Sequence, residues 1–159
     1  MAVLPARVAA TPLWMQLSTL ALSLGGLGVS FYLTVAHYAT AVTLACPDTG
    51  VINCEKVTTS PQSVVFGVPV ALLGLIFYVF MAAATTPWAW RATWPTLRWA
   101  RLCSLIAGIG FVVYLVYTEL FTLDAICLEC TSVHVITLAL FALIVYASTA
   151  TSEPVARPA

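Results

Sequence analysis

Two cysteine pairs are the residues of this chain best suited to chemistry. Cys127 and Cys130 form a CxxC motif, and Cys46 and Cys54 are separated by seven residues. A thiolate attacks disulfides and reduces acceptors, so cysteines paired in this way can carry out thiol–disulfide exchange. The fifth cysteine, Cys103, is interpreted as a small apolar side chain. The sequence therefore predicts redox chemistry at the two pairs.

The CxxC motif lies where an apolar segment, 132–150, begins. A helix N-terminus presents unpaired N–H groups and the positive end of the helix dipole, which stabilise a thiolate. Three residues of helix place the second sulfur about 4.5 Å deeper than the first. Cys127 would then meet water-side partners, and Cys130 would face a lipid-soluble acceptor. A structural disulfide and half of a zinc site are the alternatives, although zinc favours four ligands at compact spacing.

The loop between Cys46 and Cys54 contains the turn residues Pro47, Asp48 and Gly50. Such residues allow the chain to bend back, so closing the two sulfurs into a disulfide is sterically reasonable. A pair of this kind is usually structural when it stands alone. Beside an outward-facing CxxC, it can instead pass electrons from soluble thiols to the membrane.

The composition is that of a small integral membrane protein. Of the 159 residues, 62% are apolar and 8% are charged, against about 25% charged residues in typical soluble domains. So few charges cannot cover a water-soluble globule, and so much apolar surface excludes disorder. The formal net charge of zero removes the electrostatic basis for nucleic-acid binding.

Four segments are long and apolar enough to be predicted as membrane spans, since a spanning helix needs roughly 20 such residues. The predicted fold is an all-α bundle of four transmembrane helices in a single domain, 1–159. The first apolar run exceeds the roughly 7–15 residues of a signal peptide, so it is interpreted as a span. A cysteine-bearing loop, 37–65, joins the first two spans. The four predicted spans are 13–36, 66–86, 102–121 and 132–150.

The distribution of basic residues predicts the orientation. Four spans place both termini and the middle loop on one side of the membrane, and basic residues near span ends remain in the cytoplasm. The opposite side carries only Lys56. The cysteine loops are therefore expected to be extracytoplasmic, on the outer side of the cell (inner or plasma) membrane, where disulfides persist. The basic residues on the cytoplasmic side are Arg7, Arg91, Arg98, Arg101 and Arg157.

An ordered set of residues runs along the chain: Cys46, Cys54, Val57, Thr59, Ser60, Phe66, Gly67, Gly74, Tyr78, Cys127 and Cys130. This set resembles the vitamin K epoxide reductase family, and its bacterial disulfide-forming members in particular. The resemblance covers nearly the whole chain. It implies four helices around a quinone, with Cys46 and Cys54 as a shuttle pair, Cys127 exchanging with Cys54, and Cys130 acting on the quinone.

The resemblance also implies an electron acceptor, a partner and a role. The acceptor would be a membrane quinone, either menaquinone or ubiquinone, and no metal is expected. The donor would be a separate thioredoxin-like protein, because these residues include no such domain. The reaction would support oxidative protein folding.

Further residues are expected around the quinone. Ser60 matches the family's functional Ser/Thr, although a hydroxyl ending a loop helix before Pro61 is an equal interpretation. His134 could hydrogen-bond a quinone oxygen or supply a proton. Glu119 either takes part in catalysis or reaches the membrane interface. The aromatic residues expected to line the pocket are Phe66, Phe77, Tyr78, Phe111 and Tyr114.

Two departures from the animal enzymes favour quinone reduction over epoxide reduction. His134 stands where those enzymes have a Tyr, and the segment 68–71 lacks their Asn. The other four-helix quinone reductase family carries its CxxC and spaced pair in the reverse order. A non-enzymatic scaffold braced by disulfides is a further alternative, as is a vitamin K epoxide reductase proper.

Overall fold

The computed structural model describes residues 11–39, 44–46, 49–92 and 94–150, which are mainly helical. The helices are α1 (Leu13–Tyr38), α2 (Cys54–Thr58), α3 (Val70–Ala84), α4 (Pro87–Arg91), α5 (Pro95–Phe121) and α6 (Leu128–Ala150). Three of them, α1, α5 and α6, are long and apolar enough to cross a membrane by length and composition. They fit the predicted multi-pass membrane protein. The helix expected as a further span, α3, is apolar but has only 15 residues.

A small hairpin delays the start of α3 relative to the predicted segment 66–86. Strands β1 (Val64–Val65) and β2 (Val68–Pro69) pair antiparallel, and the residues between them, Phe66 and Gly67, have φ angles of 53° and 80°. Positive φ at both central residues is typical of a tight hairpin turn and is incompatible with a right-handed helix. The helix therefore begins only at Val70.

Helix α5 starts seven residues before the predicted segment 102–121, because an arginine is accommodated inside the bundle. Arg101 donates from Nε to the Ala84 carbonyl at 2.8 Å and from a terminal nitrogen to the Ala89 carbonyl at 2.7 Å. Its guanidinium also lies 4.3 Å from the centroid of the Trp90 ring, a cation–π contact. These contacts satisfy carbonyls near the ends of α3 and α4. The charge of Arg101 is therefore accommodated inside the bundle and does not interrupt α5.

The core packs α1 against α3 and α6, and α5 against α6. Tyr78 lies at its centre and is fully buried. Its hydroxyl donates to the Val133 carbonyl at 3.0 Å and lies 2.8 Å from Thr137 Oγ1. The ring lies against Gly26, where an added Cβ would overlap ring atoms. This contact connects α1, α3 and α6 at one level. The buried cluster consists of Tyr78, Met81, Leu105, Leu140 and Ile144.

Large apolar side chains cover the outer surfaces of the long helices. Contiguous apolar surface of this extent is unusual for a soluble monomer and suits contact with lipid. Trp88, Trp94 and Trp99 are exposed around α4 and the start of α5, as expected for aromatic residues at a membrane interface. Exposed side chains on the long helices include Leu17, Phe31, Val113, Val135 and Tyr146.

Candidate redox site

The CxxC motif forms the first turn of α6, which begins at 128 rather than at the predicted 132. The Cys127 carbonyl accepts from the Thr131 N–H at 2.9 Å, and its sulfur accepts from the Cys130 N–H at 3.3 Å. Cys127 thus takes the N-cap position, with its sulfur in place of the usual capping oxygen. Negative charge on this sulfur would interact favourably with the helix dipole. The predicted position of the motif at a helix start is observed.

The outer loop closes through a disulfide between Cys46 and Cys54, whose Cα atoms are 6.0 Å apart. Cys54 is the first residue of α2, and the Asn53 side chain caps that helix by accepting from the Lys56 N–H at 2.8 Å. Cys46 is half-buried, whereas Cys54 is only 2% exposed. Cys46 is therefore the more accessible sulfur of the pair. Cys127 and Cys130 are free thiols in this structure.

Backbone hydrogen bonds hold the two cysteine-bearing loops side by side. The Asn53 N–H donates to the Ile126 carbonyl at 3.1 Å, and the Ile126 N–H donates to the Val51 carbonyl at 2.8 Å. The next residues along the chain are Cys54 and Cys127. Both belong to one buried cluster, against which Cys46 and Cys130 also pack. The structure therefore brings all four predicted redox cysteines together.

A carboxylate also belongs to this cluster. Glu129 Oε2 lies 2.7 Å from Cys54 Sγ and 3.8 Å from Cys127 Sγ. Sequence reasoning missed this residue, although an acidic side chain inside a CxxC motif is a visible signal. The ligand atoms of Cys46, Cys54 and Glu129 all lie within 4.8 Å of one another, as in a possible metal site. Sulfurs joined in a disulfide carry no thiolate charge, so this redox state gives a metal poor ligands.

A cavity of about 350 Å³ lies between the long helices and α3, beneath the loop that contains α2. Its lining is mostly apolar, and Cys130 reaches it whereas Cys127 does not. Two predicted pocket residues are not brought there. Phe66 lies fully exposed at the hairpin turn, and Tyr114 is 41% exposed on α5. The predicted residues that do line the cavity are Ser60, Phe77, Tyr78, Phe111 and His134.

Several polar side chains reach this cavity. The Ser60 hydroxyl donates to a backbone carbonyl of α2 at 2.8 Å, which also fits its interpretation as a loop-helix end. Gln62 Oε1 is buried and has no hydrogen-bond partner among the described residues. Glu119, which is 5% exposed, accepts a hydrogen bond from the Cys127 backbone. Sequence reasoning missed Gln62, because it lies outside the predicted spans and no motif marks it.

The CxxC motif therefore connects two environments. Cys127 packs with Cys54 in the loop cluster, and Cys130 lines the cavity among the helices. Two sulfurs in this arrangement can exchange with a loop disulfide on one side and react with an apolar molecule on the other.

Comparison with known families supports the resemblance. Residues 17–145 match the model of the Vitamin K epoxide reductase family. The matched region includes all five cysteines and most of the chain. Comparison with curated proteins finds no match. On the extent of the family match, the chain belongs to the vitamin K epoxide reductase family, a family of oxidoreductases.

Proposed function

We propose that this protein is a quinone-dependent thiol oxidase that supports oxidative protein folding. Electrons pass from a reduced thioredoxin-like partner to the Cys46–Cys54 disulfide, then to the Cys127–Cys130 pair, and finally to a membrane quinone. The observation that carries the proposal is the position of the CxxC motif, with Cys127 beside Cys54 and Cys130 in the cavity. A disulfide that only braced the loops would need no cavity beside one of its sulfurs.

Cys46 is the entry point for electrons, because it is the more accessible sulfur of the loop pair. A partner thiolate attacks the Cys46 sulfur, and the Cys46–Cys54 bond breaks with Cys54 as the leaving thiolate. The partner's second thiol then attacks the mixed disulfide and releases Cys46. The partner leaves oxidised, and the loop pair holds its two electrons.

The loop pair then reduces the CxxC disulfide. The Cys54 thiol gives up its proton as it attacks Cys127 and breaks the Cys127–Cys130 bond, so Cys130 leaves as a thiolate. Cys46 attacks Cys54, which restores the loop disulfide and releases Cys127. The product state is a loop disulfide with a reduced CxxC, the same pairing as in this structure. The overall driving force is a potential difference, worth about 1.4 kcal/mol per 30 mV for two electrons.

The cavity suits a quinone ring. Its volume of about 350 Å³ falls within the range of small-molecule pockets, and its lining combines apolar surface with a few polar groups. A quinone supplies an acceptor for two electrons and two protons. Phe77 and Phe111 provide apolar walls, while Ser60, Gln62 and His134 provide polar atoms around the ring. The unpartnered Gln62 Oε1 is a hydrogen-bond acceptor, so it supports a ligand whose reduced form, a quinol, can donate an O–H to it.

We further propose that α3 is the fourth crossing, so that both termini are cytoplasmic and the cysteine loops extracytoplasmic in the cell membrane. A helix of 15 residues is about 22 Å long, which is shorter than a bilayer core of about 30 Å. The β1–β2 hairpin precedes α3, and the short helix α4 follows it. These two elements extend the crossing at its two ends. The excess of arginines on the opposite side from Lys56 supports this orientation.

The direct test is anaerobic quinone reduction by the purified protein, supplied with a reduced thioredoxin-like protein. Wild type is expected to reduce the quinone catalytically, and Cys130→Ser is expected to abolish the reaction. Cys103→Ser is the matched control, since Cys103 lies exposed on α5 away from the cluster, and it should retain full activity. Turnover that persists in Cys130→Ser would contradict the proposal.

A further inference from the structure

The Glu129 side chain lies close to both sulfurs that take part in the proposed disulfide exchange, those of Cys54 and Cys127. Its Oε2 atom is 2.7 Å from Cys54 Sγ and 3.8 Å from Cys127 Sγ. A disulfide sulfur has no hydrogen, so any hydrogen bond across the shorter contact must be donated by the carboxyl group itself. The side chain is in position to hold a proton beside either sulfur.

Exchange at this site requires a proton carrier. A thiol must lose its proton before it attacks, and the sulfur released at the end must gain one. Cys54 is 2% exposed and Cys127 is 0% exposed, so water has little access to either atom. A group within the cluster must then perform the transfer.

The other charged groups near the cluster are poorly placed for this task. Glu55 and Lys56 are exposed on α2, and Asp124 is exposed in the turn before Cys127. Glu119 accepts a hydrogen bond from the Cys127 backbone and lines the cavity on the other side of the motif. Among the described residues, Glu129 is the carboxylate that lies within 4 Å of both exchanging sulfurs.

We propose that Glu129 is the acid–base catalyst of the exchange between the loop pair and the CxxC pair, an inference that rests on the proposed function. Its carboxylate accepts the proton of the Cys54 thiol as that sulfur attacks Cys127 and Cys130 departs as a thiolate. When Cys46 then attacks Cys54, Glu129 returns the proton to the departing Cys127 thiolate. The Cys46 proton balances the one that Cys130 takes up, so one disulfide breaks, one forms, and no proton is gained or lost overall.

A single-turnover experiment separates this step from the others. Fully reduced protein is mixed anaerobically with excess of a short-chain, fully substituted naphthoquinone, and in parallel with the corresponding benzoquinone. The first phase oxidises the CxxC pair. The second phase requires the loop pair to reduce the CxxC again, so it reports the Cys54–Cys127 exchange. No partner protein is needed.

The variant to compare is Glu129→Gln, which keeps the shape of the side chain but cannot carry the proton. General acid–base catalysis contributes at least about 10²-fold, so the second phase should slow by about that factor. The first phase and the final amount of loop disulfide should stay the same, because a catalyst changes a rate and not an endpoint. Glu55→Gln, an exposed position next to Cys54, is the matched control and should leave both phases unchanged.

The possible outcomes separate the two proposals. If wild type shows neither phase with either quinone, the proposed function fails. If wild type shows both phases but Glu129→Gln has the second-phase rate of Glu55→Gln, the role of Glu129 is overturned. Equal slowing of both phases, or a changed endpoint, would also overturn it, since that pattern indicates a structural role. An unchanged first phase shows that the variant is folded.

Discussion

The contact between Gly26 and Tyr78 provides a quantitative test of how the cavity is held. Adding a methyl group at Gly26 would place the new Cβ within the Tyr78 ring. The ring cannot easily move away, because its hydroxyl bonds to Val133 and Thr137 on α6. Gly28, two residues further along α1, has no atom within 4 Å of its added Cβ. The two glycines therefore form a matched pair on one helix.

The expected magnitudes follow from two opposing effects. Replacing glycine by alanine inside a helix favours the helix by about 1 kcal/mol. Overpacking a buried contact costs about 1–3 kcal/mol. Gly28→Ala should gain the helix stabilisation alone. Gly26→Ala should gain the same stabilisation but also incur the cost of overpacking. The difference between the two variants isolates the overlap, and we expect it to be about 1–3 kcal/mol in favour of Gly28→Ala.

The assay is the free energy of unfolding of both variants in mixed detergent micelles, in parallel with quinone reduction. Tyr78 lines the cavity, so its displacement in Gly26→Ala should also raise the KM for quinone, while Gly28→Ala should leave it unchanged. Equal stabilities and equal KM values for the two variants would refute the packing of α1 against Tyr78.

Three further predictions follow from the site. A membrane-impermeant thiol reagent applied to intact, reduced cells should label Cys46 and, more slowly, the buried Cys54; labelling that needs lysis would contradict the outward orientation. Gln62→Leu should raise the Kd of the quinol product by about tenfold, the value of one O–H hydrogen bond to Gln62 Oε1 near 1.4 kcal/mol, whereas Gln16→Leu, another amide with an unpartnered oxygen, should not. Cys103→Ser should leave both the stability and the activity unchanged, and an inactive variant would contradict the interpretation of Cys103.

The predictions from sequence succeeded where spacing and chemistry act locally. The CxxC motif was expected at a helix start, and Cys127 takes the N-cap position of α6. The loop pair was expected to close into a disulfide, and it does. Both features depend on neighbouring residues alone, which the sequence displays directly.

Helix boundaries were less predictable, because hydropathy does not report backbone angles or long-range partners. The segment from Phe66 looked like the start of a span, but positive φ angles there form a hairpin. Arg101 looked like the end of a polar loop, but carbonyls of α3 and α4 hold it inside a helix. Neither the turn nor the carbonyl partners can be read from apolar composition.

The lining of the cavity was predicted only in part, since an apolar residue can face lipid or the interior with equal hydropathy. Phe77 and Phe111 face the cavity, while Phe66 and Tyr114 do not. Gln62 and Glu129 were missed because their importance depends on the fold: Gln62 lines the cavity, and Glu129 contacts the sulfur of Cys54. The carboxylate of Glu129 gains a role only from the sulfur of Cys54, 75 residues away in the chain.

The relay from the loop pair to the CxxC pair is the central claim, and one comparison of electron donors tests it most directly. Quinone reduction is measured for serine variants of the four cysteines, once with a reduced thioredoxin-like protein and once with a small dithiol. Loss of Cys127 or Cys130 should abolish the reaction with both donors. Loss of Cys46 or Cys54 should abolish it with the protein donor only, because a small dithiol can reduce the CxxC through the half-buried Cys130 without the loop pair. Equal loss with both donors in all four variants would contradict the relay.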